Sequence, residues 1–424
     1  MRGRRHHTPL AVLTLTAAIA LAGCGGDGDS GDSDDKASPS ADPRQSGSQG
    51  GGARDGAIPA KGVVVTAWCT VPASSPARVT VEAWDPTSWK PRGRTEFTLP
   101  AETALREDDA RTPVAELCKR NLPHTKPSGK GPDPIPEPSV RQVFDDDYSR
   151  MAVVLHNRET ESTRAAVVTP DGKATKLTKE STADYADAPG EMHPLFTPGS
   201  DGKEVWFVSG TDEDKRAPKI ASVRLTGSKV SKPVPHGTGN TLRGDRRGFS
   251  LGGRPVSAFT AKAVTFSPDG RRAAGFQEMQ GVNVVDVPRN PLTVRDGDAT
   301  LYPLPSSCRP WGWTDSTTVL CGDRSIAAND PERANNFWTV DAGSLREDED
   351  TPEGAAGDPI LPTTKRENTP RALSADGGEL IFTSRQGSRT EHFRVATTPG
   401  STPKKITAPG AQRALRAGTV LEWR

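Results

Sequence analysis

Phe266-Ser267-Pro268-Asp269-Gly270, followed closely by Ala273-Ala274-Gly275-Phe276, is the stretch that decides the fold. An apolar residue closes one strand, a turn follows, and a short apolar strand leaves it. The turn chemistry is explicit: Pro presets φ at the second turn position, Asp caps nearby backbone, and Gly accepts positive φ. The unit recurs as Leu373-Ser374-Ala375-Asp376-Gly377 before Leu380-Ile381-Phe382. It recurs again as Phe196-Thr197-Pro198-Gly199-Ser200-Asp201-Gly202 before Val205-Trp206-Phe207-Val208. Weaker copies are Phe144-Asp145-Asp146-Asp147 before Met151 to Leu155, and Trp313-Thr314-Asp315 before Val319 to Cys321. The shortest is Leu415-Arg416-Ala417-Gly418 before Val420 to Trp423.

A second unit, strand, polar turn and return strand, follows each of the first five copies. Examples are Ala165 to Val168 returning as Ala174 to Leu177, and Phe393 to Ala396 returning through Lys404 to Ile406. Two hairpins per unit make a four-stranded sheet, and sheets repeated every ~40 to 70 residues are the signature of a β-propeller. The F-S-P-D-G and L-S-A-D-G turns are similar to those of TolB-like bacterial propellers, cousins of the WD-repeat proteins. That resemblance covers about residues 140 to 408. It implies an architecture and no single function, because the family includes scaffolds, binders and propellers appended to enzymes.

The fold class is therefore all-β, a propeller of six four-stranded blades. Val63 to Trp68, Val79 to Trp84 and Thr95 to Leu99 lack a preceding repeat hairpin, and Ala414 to Trp423 lacks a following one. Placing both ends in one blade closes the ring and hides the edge strands. In Val420-Leu421-Glu422-Trp423, alternation puts Leu421 and Trp423 on one face and Glu422 on the other. Residues 101–139 and 236–254 read as insertions, the first with a short helix near Pro113 to Arg120.

The first residues carry an address. Arg2, Arg4 and Arg5 precede an uncharged run from Pro9 to Gly23, the layout of a secretory signal. The run is too short for a stable bilayer span, which needs about 20 residues. The Arg4-Arg5 pair fits twin-arginine export poorly, so the general secretory route is preferred. Leu21-Ala22-Gly23-Cys24 resembles the lipobox of bacterial lipoproteins. The resemblance implies cleavage between Gly23 and Cys24 and a diacylglycerol on the Cys24 sulfur. Two or three acyl chains anchor a protein where one does so only marginally. The expected organisation is a signal peptide over 1–23, a lipidated cysteine with a disordered tether over 24–60, and the propeller over 61–424. The tether is Gly, Ser, Asp, Pro and Ala with almost no apolar side chain. Its aspartates, Asp27 to Asp35, lack the glycine and terminal glutamate of a calcium loop and read as solvating charge.

Removing Arg2, Arg4 and Arg5 with the signal takes the formal net charge from +1 to −2. A nearly neutral chain without a basic stripe argues against nucleic acid as partner. Once Cys24 carries lipid, Cys69, Cys118, Cys308 and Cys321 remain. An even number in an oxidising compartment reads as two disulfides. Three pairings are possible, of which Cys69 with Cys118 and Cys308 with Cys321, the pairs closest in sequence, are favoured.

No catalytic set assembles from the sequence, and no metal or cofactor site is expected. Gly248-Phe249-Ser250-Leu251-Gly252 matches a nucleophile elbow, which requires a strand turning sharply into a helix. Asp245-Arg246-Arg247 before it and Gly253-Arg254-Pro255 after it predict neither. Ser374 to Gly378 partly resembles a sialidase Asp-box but has Ile381 where an aromatic residue belongs, so a turn is the better reading. His124, His156, His193, His236 and His392 show no metal-binding spacing. Trp311 and Trp313, two apart, predict rings on one face of a strand, as core packing or as a stacking platform. Asp145 to Asp147 reads as a solvated turn rather than a calcium site. The expected function is that of a membrane-anchored extracytoplasmic lipoprotein, a non-enzymatic propeller binding or scaffolding an envelope protein or a small molecule. The alternative is a hydrolase or lyase whose carboxylates meet at one mouth of the central channel.

Overall fold

The computed structural model describes residues 54–72, 76–105, 113–118, 138–160, 162–178, 190–210, 219–238, 241–245, 248–252, 264–277, 281–287, 293–295, 300–305, 307–323, 333, 335–347 and 355–424. They form an all-β, six-bladed propeller. Blade 1 runs outward from the C-terminal strand Thr419–Trp423 through Val64–Thr70, Arg78–Trp84 and Pro91–Thr98 to the short Arg54–Asp55. Blade 2 holds Met151–Asn157, Ser162–Val168 and Ala174–Lys176, and blade 3 is built on Glu191–Phe196, Glu204–Ser209 and Lys219–Thr226. Blade 4 comprises Thr265–Phe266, Arg272–Gln277, Gly281–Asp286 and Leu301–Pro303. Cys308–Trp313, Thr318–Asp323 and Phe337–Asp341 make blade 5, and Glu367–Leu373, Glu379–Gln386, Arg389–Ala396 and Lys404–Lys405 make blade 6.

Four strands per blade is not universal. In blade 2 the innermost position is taken by the 3₁₀ turn Pro138–Val143, which joins the sheet by a single bridge from Phe144 to Met151. In blade 5 the outermost strand shrinks to a bridge between Val340 and Ala356.

The repeated turn folds as its residues dictate. Ser374 Oγ donates to Asp376 Oδ1 at 2.5 Å, the Gly378 amide donates to the same oxygen at 3.1 Å, and the Gly377 amide closes the turn on Ser374 O at 2.9 Å. The hydroxyl of Ser374, then the amide of Gly378, hold the Asp376 carboxyl below its usual range. Gly377 has φ +73°, and a Cβ there would lie 2.0 Å from the carbonyl oxygen of Thr314 in the turn of blade 5. Glycine is thus required both by the backbone and by the neighbouring blade.

Shared apolar clusters seal the seams. Ala165 and Val167 meet Phe207 and Ala221 between blades 2 and 3, and Val284 meets Trp338 between blades 4 and 5. Phe337 meets Phe382 between blades 5 and 6, and Ile381 meets Trp84 and Trp423 between blades 6 and 1. The largest cluster joins blades 1, 2 and 3 and reaches Leu242. Leu242 lies on the hairpin Thr241–Asp245 and Gly248–Gly252, which contacts blade 3 and the first strand of blade 4. Gly248–Gly252 also pairs in parallel with Thr293–Arg295.

The ring closes by pairing the two ends of the propeller. Val64 lies opposite Trp423, Val65 opposite Glu422 and Thr66 opposite Val420, and Val63 and Arg424 exchange backbone hydrogen bonds of 3.0 and 2.9 Å. The register skips at Leu421, a β-bulge that resets the alternation. Val420 and Trp423 therefore share the seam facing blade 6, and Leu421 packs on the opposite cluster. The expected pairing of Leu421 with Trp423 on one face is corrected accordingly.

The same device corrects the tryptophan pair. The register of Cys308–Trp313 skips at Trp311, so Trp311 packs on the seam with blade 6 while Trp313 enters the seam with blade 4. Trp313 Nε1 donates to Thr265 O at 3.1 Å.

Three boundaries also shift. Arg54–Asp55 pairs with Arg94 and Thr95, and Ile58 is buried in the core, so the propeller begins before residue 61. Val234–Thr238 pairs with Lys219–Ser222, which returns residues 236 to 238 to blade 3. Leu415 to Gly418 is the end of the helix Pro409–Ala417 rather than a hairpin turn. Pro409 opens the helix, good helix formers fill it, and the Gly418 amide caps Ala414 O.

The expected helix in the first insertion spans Pro113–Cys118. Cys118 is joined to Cys69, and Cys308 to Cys321 across neighbouring strands. The second bridge closes a loop with a sequence separation of 13. Replacing both Cys308 and Cys321 by Ser is expected to cost roughly 3 kcal/mol. A urea midpoint indistinguishable from that of the unaltered protein would refute it.

Candidate functional site

The lipobox, with Gly23 and Cys24, lies outside the described residues, as do the signal, most of the tether and His124. Among the described residues no helix is long and apolar enough to cross a membrane, and no group of three His, Cys, Asp or Glu side chains converges as a metal site. Ser250 sits inside the strand Gly248–Gly252, contrary to the expectation that no strand is present there. Bonds between Thr241–Asp245 and Gly248–Gly252 make it part of a hairpin, not the strand-to-helix turn a nucleophile elbow needs. Ser374 serves the blade 6 turn described above.

Asp145 is not solvated. Its side chain is buried and accepts from the Ser149 amide at 2.7 Å, the Ser149 hydroxyl at 2.6 Å, the Arg150 amide at 3.0 Å and Arg150 Nε at 3.0 Å. Arg150 also donates to Gly202 O at 2.6 Å, tying the turn of blade 2 to that of blade 3.

Next to this turn lies a charged cluster at the closure of the ring. Arg141, on the 3₁₀ turn of blade 2, and Glu422, on the C-terminal strand, each have side chains only 7% exposed. Arg141 Nε stands 2.9 Å from Glu422 Oε1 as an ion pair. Tyr148 Oη donates to the same oxygen at 2.7 Å, and Arg424 donates to it at 3.1 Å. Both guanidiniums lie over the Tyr148 ring, Arg141 at 4.5 Å and Arg424 at 5.4 Å from its centroid. Burial pushes the Tyr148 hydroxyl well above its usual range, so it remains a donor. Arg141 further donates to Phe144 O and Asp145 O, and Arg424 to Asp146 O and Pro59 O. These contacts tie the C-terminal strand to the 3₁₀ turn of blade 2.

A different arrangement occupies the face of blade 1 turned toward blade 6. Cross-strand register places Thr66 beside Glu82 and Glu82 beside Arg94, with Trp68 and Trp84 on the same face. Trp84 Nε1 donates to Thr66 Oγ1 at 2.9 Å, which fixes the indole. Glu82 is 5% exposed, and its Oε2 has no hydrogen-bond partner. Burial raises the Glu82 carboxyl above its usual range, opposed in part by Arg413 and Arg94. Arg413, projecting from the helix Pro409–Ala417, stands 3.3 Å from Glu82 Oε2 and lies over both rings, 5.3 Å from Trp68 and 5.8 Å from Trp84. Its side chain is 56% exposed. Two indole faces and a carboxylate thus surround one cation, the chain's own Arg413.

Blade 3 carries a Ser–His contact. His236 Nε2 lies 2.8 Å from Ser222 Oγ and the imidazole stacks on Trp206 at 3.9 Å and 6°. Ser222 is 4% exposed, which denies a substrate access to the hydroxyl. His392, likewise buried, contacts Thr383 Oγ1 at 3.1 Å, and Arg371 Nε donates to that hydroxyl at 2.9 Å.

None of these groups shares a linear motif. Arg141 and Glu422, or Glu82 and Arg413, are hundreds of residues apart, and only ring closure brings them together.

No family model matches the chain, and no curated protein matches it. Among solved structures it is similar to TolB from Acinetobacter baumannii, at 16% identity and a TM-score of 0.32 over 82% of this chain and 69% of that one. A structure from a study of two prolyl endopeptidases is similar at 14% identity and a TM-score of 0.38, covering 82% of this chain and 44% of that one. An oligogalacturonate lyase in complex with manganese is similar at 13% identity and a TM-score of 0.32, covering 61% of this chain and 63% of that one.

Proposed function

We propose that the chain is a lipid-anchored extracytoplasmic lipoprotein whose propeller binds or scaffolds a small molecule or an envelope protein. Two disulfides inside the fold carry the location, because such bonds persist in oxidising compartments outside the cytoplasm. The lipobox Leu21-Ala22-Gly23-Cys24 supplies the anchor, and the basic, then apolar, run before it supplies the export signal. A binding role is supported by where the polar side chains go. The aspartates of the repeat turns bond to their own turns, and the closure cluster ties the C-terminal strand to blade 2.

Cys24→Ser is expected to leave the precursor unlipidated and unprocessed. Metabolic labelling with a fatty-acid analogue should mark the unaltered protein and lose essentially all signal in the variant. Undiminished labelling would overturn the anchor.

A further inference from the structure

We propose that Trp68, Trp84 and Glu82 form a binding site for a methylated ammonium group, held closed in this structure by the chain's own Arg413. The site goes beyond the general binding role above, since it names a place and a ligand chemistry.

Recognition of a quaternary ammonium uses aromatic faces within about 6 Å and a nearby negative charge, with no hydrogen bond to the cation. Blade 1 provides those parts. Both indoles lie within that distance of the Arg413 guanidinium carbon. Glu82 is buried beneath the same cation, and its Oε2 accepts no hydrogen bond although a guanidinium nitrogen stands 3.3 Å away. The resident cation is therefore held by charge and ring faces alone. That mode wastes the planar donor fork of arginine and suits an ion that has no N–H to donate. Trp84 is pre-oriented by its bond to Thr66, so its face is set before any ligand arrives.

Arg413 is a replaceable occupant. More than half of its side chain is exposed, whereas the helix is anchored by the buried Ala411, Ala414 and Leu415. Rotation of the Arg413 side chain would open the site and leave that apolar stripe seated. The occupant also explains how a buried carboxylate is tolerated there. Glu82 needs a counter-charge, and Arg413 supplies it until a better-fitting cation takes its place.

The test is a titration of detergent-solubilised full-length protein with tetramethylammonium, followed by isothermal calorimetry and tryptophan fluorescence. The neutral isostere 3,3-dimethylbutan-1-ol serves as control. Arg413→Ala is expected to bind the cation saturably and at least tenfold more tightly than the unaltered protein. Adding Glu82→Gln to that variant should weaken binding at least tenfold, and the neutral isostere should not compete. Failure of Arg413→Ala to bind would overturn the proposal, as would equal binding of the isostere, which would mark a merely apolar crevice. Should Arg413→Ala fail to fold, Arg413→Gln keeps a stem over the rings and is held to the same outcomes. Anchoring through Cys24 is read by the lipid label and is untouched by either result.

Discussion

A chain ending at Arg413 is expected to lose most of its folding free energy, about 5–15 kcal/mol for a domain of ordinary stability. The missing segment is short, but it is the inner strand of blade 1. Its removal exposes the edge of Val64–Thr70, whose partners are Thr419, Val420, Glu422 and Trp423. It also takes Ala414, Leu415, Val420 and Trp423 out of the seam between blades 6 and 1. Buried apolar side chains of this size contribute roughly 1.5–3 kcal/mol each, before the cost of leaving Arg141 without its counter-ion. A matched deletion of residues 25–53 removes a segment almost devoid of apolar side chains and should change the melting temperature little. Thermal melts of both forms decide the matter. Equal, small shifts would mean that the closing strand contributes nothing to the ring.

How far the fold was legible depends on where each residue's partners lie. Pro268, Asp269, Gly270, Asp376 and Gly377 act within a few residues, through turn geometry and local hydrogen bonds, so the blades could be recognised from their turns. Closure was legible because Val420 to Trp423 had no partner nearby in sequence. Phase within a strand was not. A one-residue bulge at Trp311 or Leu421 reverses every side chain beyond it; Pro310 and Gly312 flank the first and could have announced it, whereas Val420-Leu421-Glu422 carries no such mark. The helix Pro409–Ala417 did carry a signal, Pro at its start and Gly at its end, which the repeat pattern overrode. The cation site was illegible in a different sense. Trp68, Glu82 and Trp84 alternate as any half-buried strand pair would, and Arg413 looks like a surface residue of an amphipathic helix. Their meeting depends on closure across more than 300 residues of chain, which no local pattern encodes.

The buried pair at the closure yields the second large effect. Glu422→Ala should cost about 3–5 kcal/mol, because it leaves Arg141 charged in a site with 7% exposure and removes the acceptor of Tyr148 Oη. Burial alone would favour a neutral guanidine, and Glu422 is the main influence holding Arg141 in its charged form. The asymmetry of buried ion pairs makes the prediction specific. Removing both charges, as in Arg141→Met with Glu422→Leu, replaces two desolvated ions by apolar volume and should recover most of the loss. A double-mutant cycle in urea, with Arg141→Met and Glu422→Leu as its single substitutions, therefore separates two readings of the cluster. If the single substitution is severe and the pair mild, Arg141 and Glu422 act as one unit whose charges answer each other across blades 1 and 2. If Glu422→Ala costs less than about 1 kcal/mol, the pair behaves as a surface ion pair would, and closure rests on the strand and its apolar residues alone.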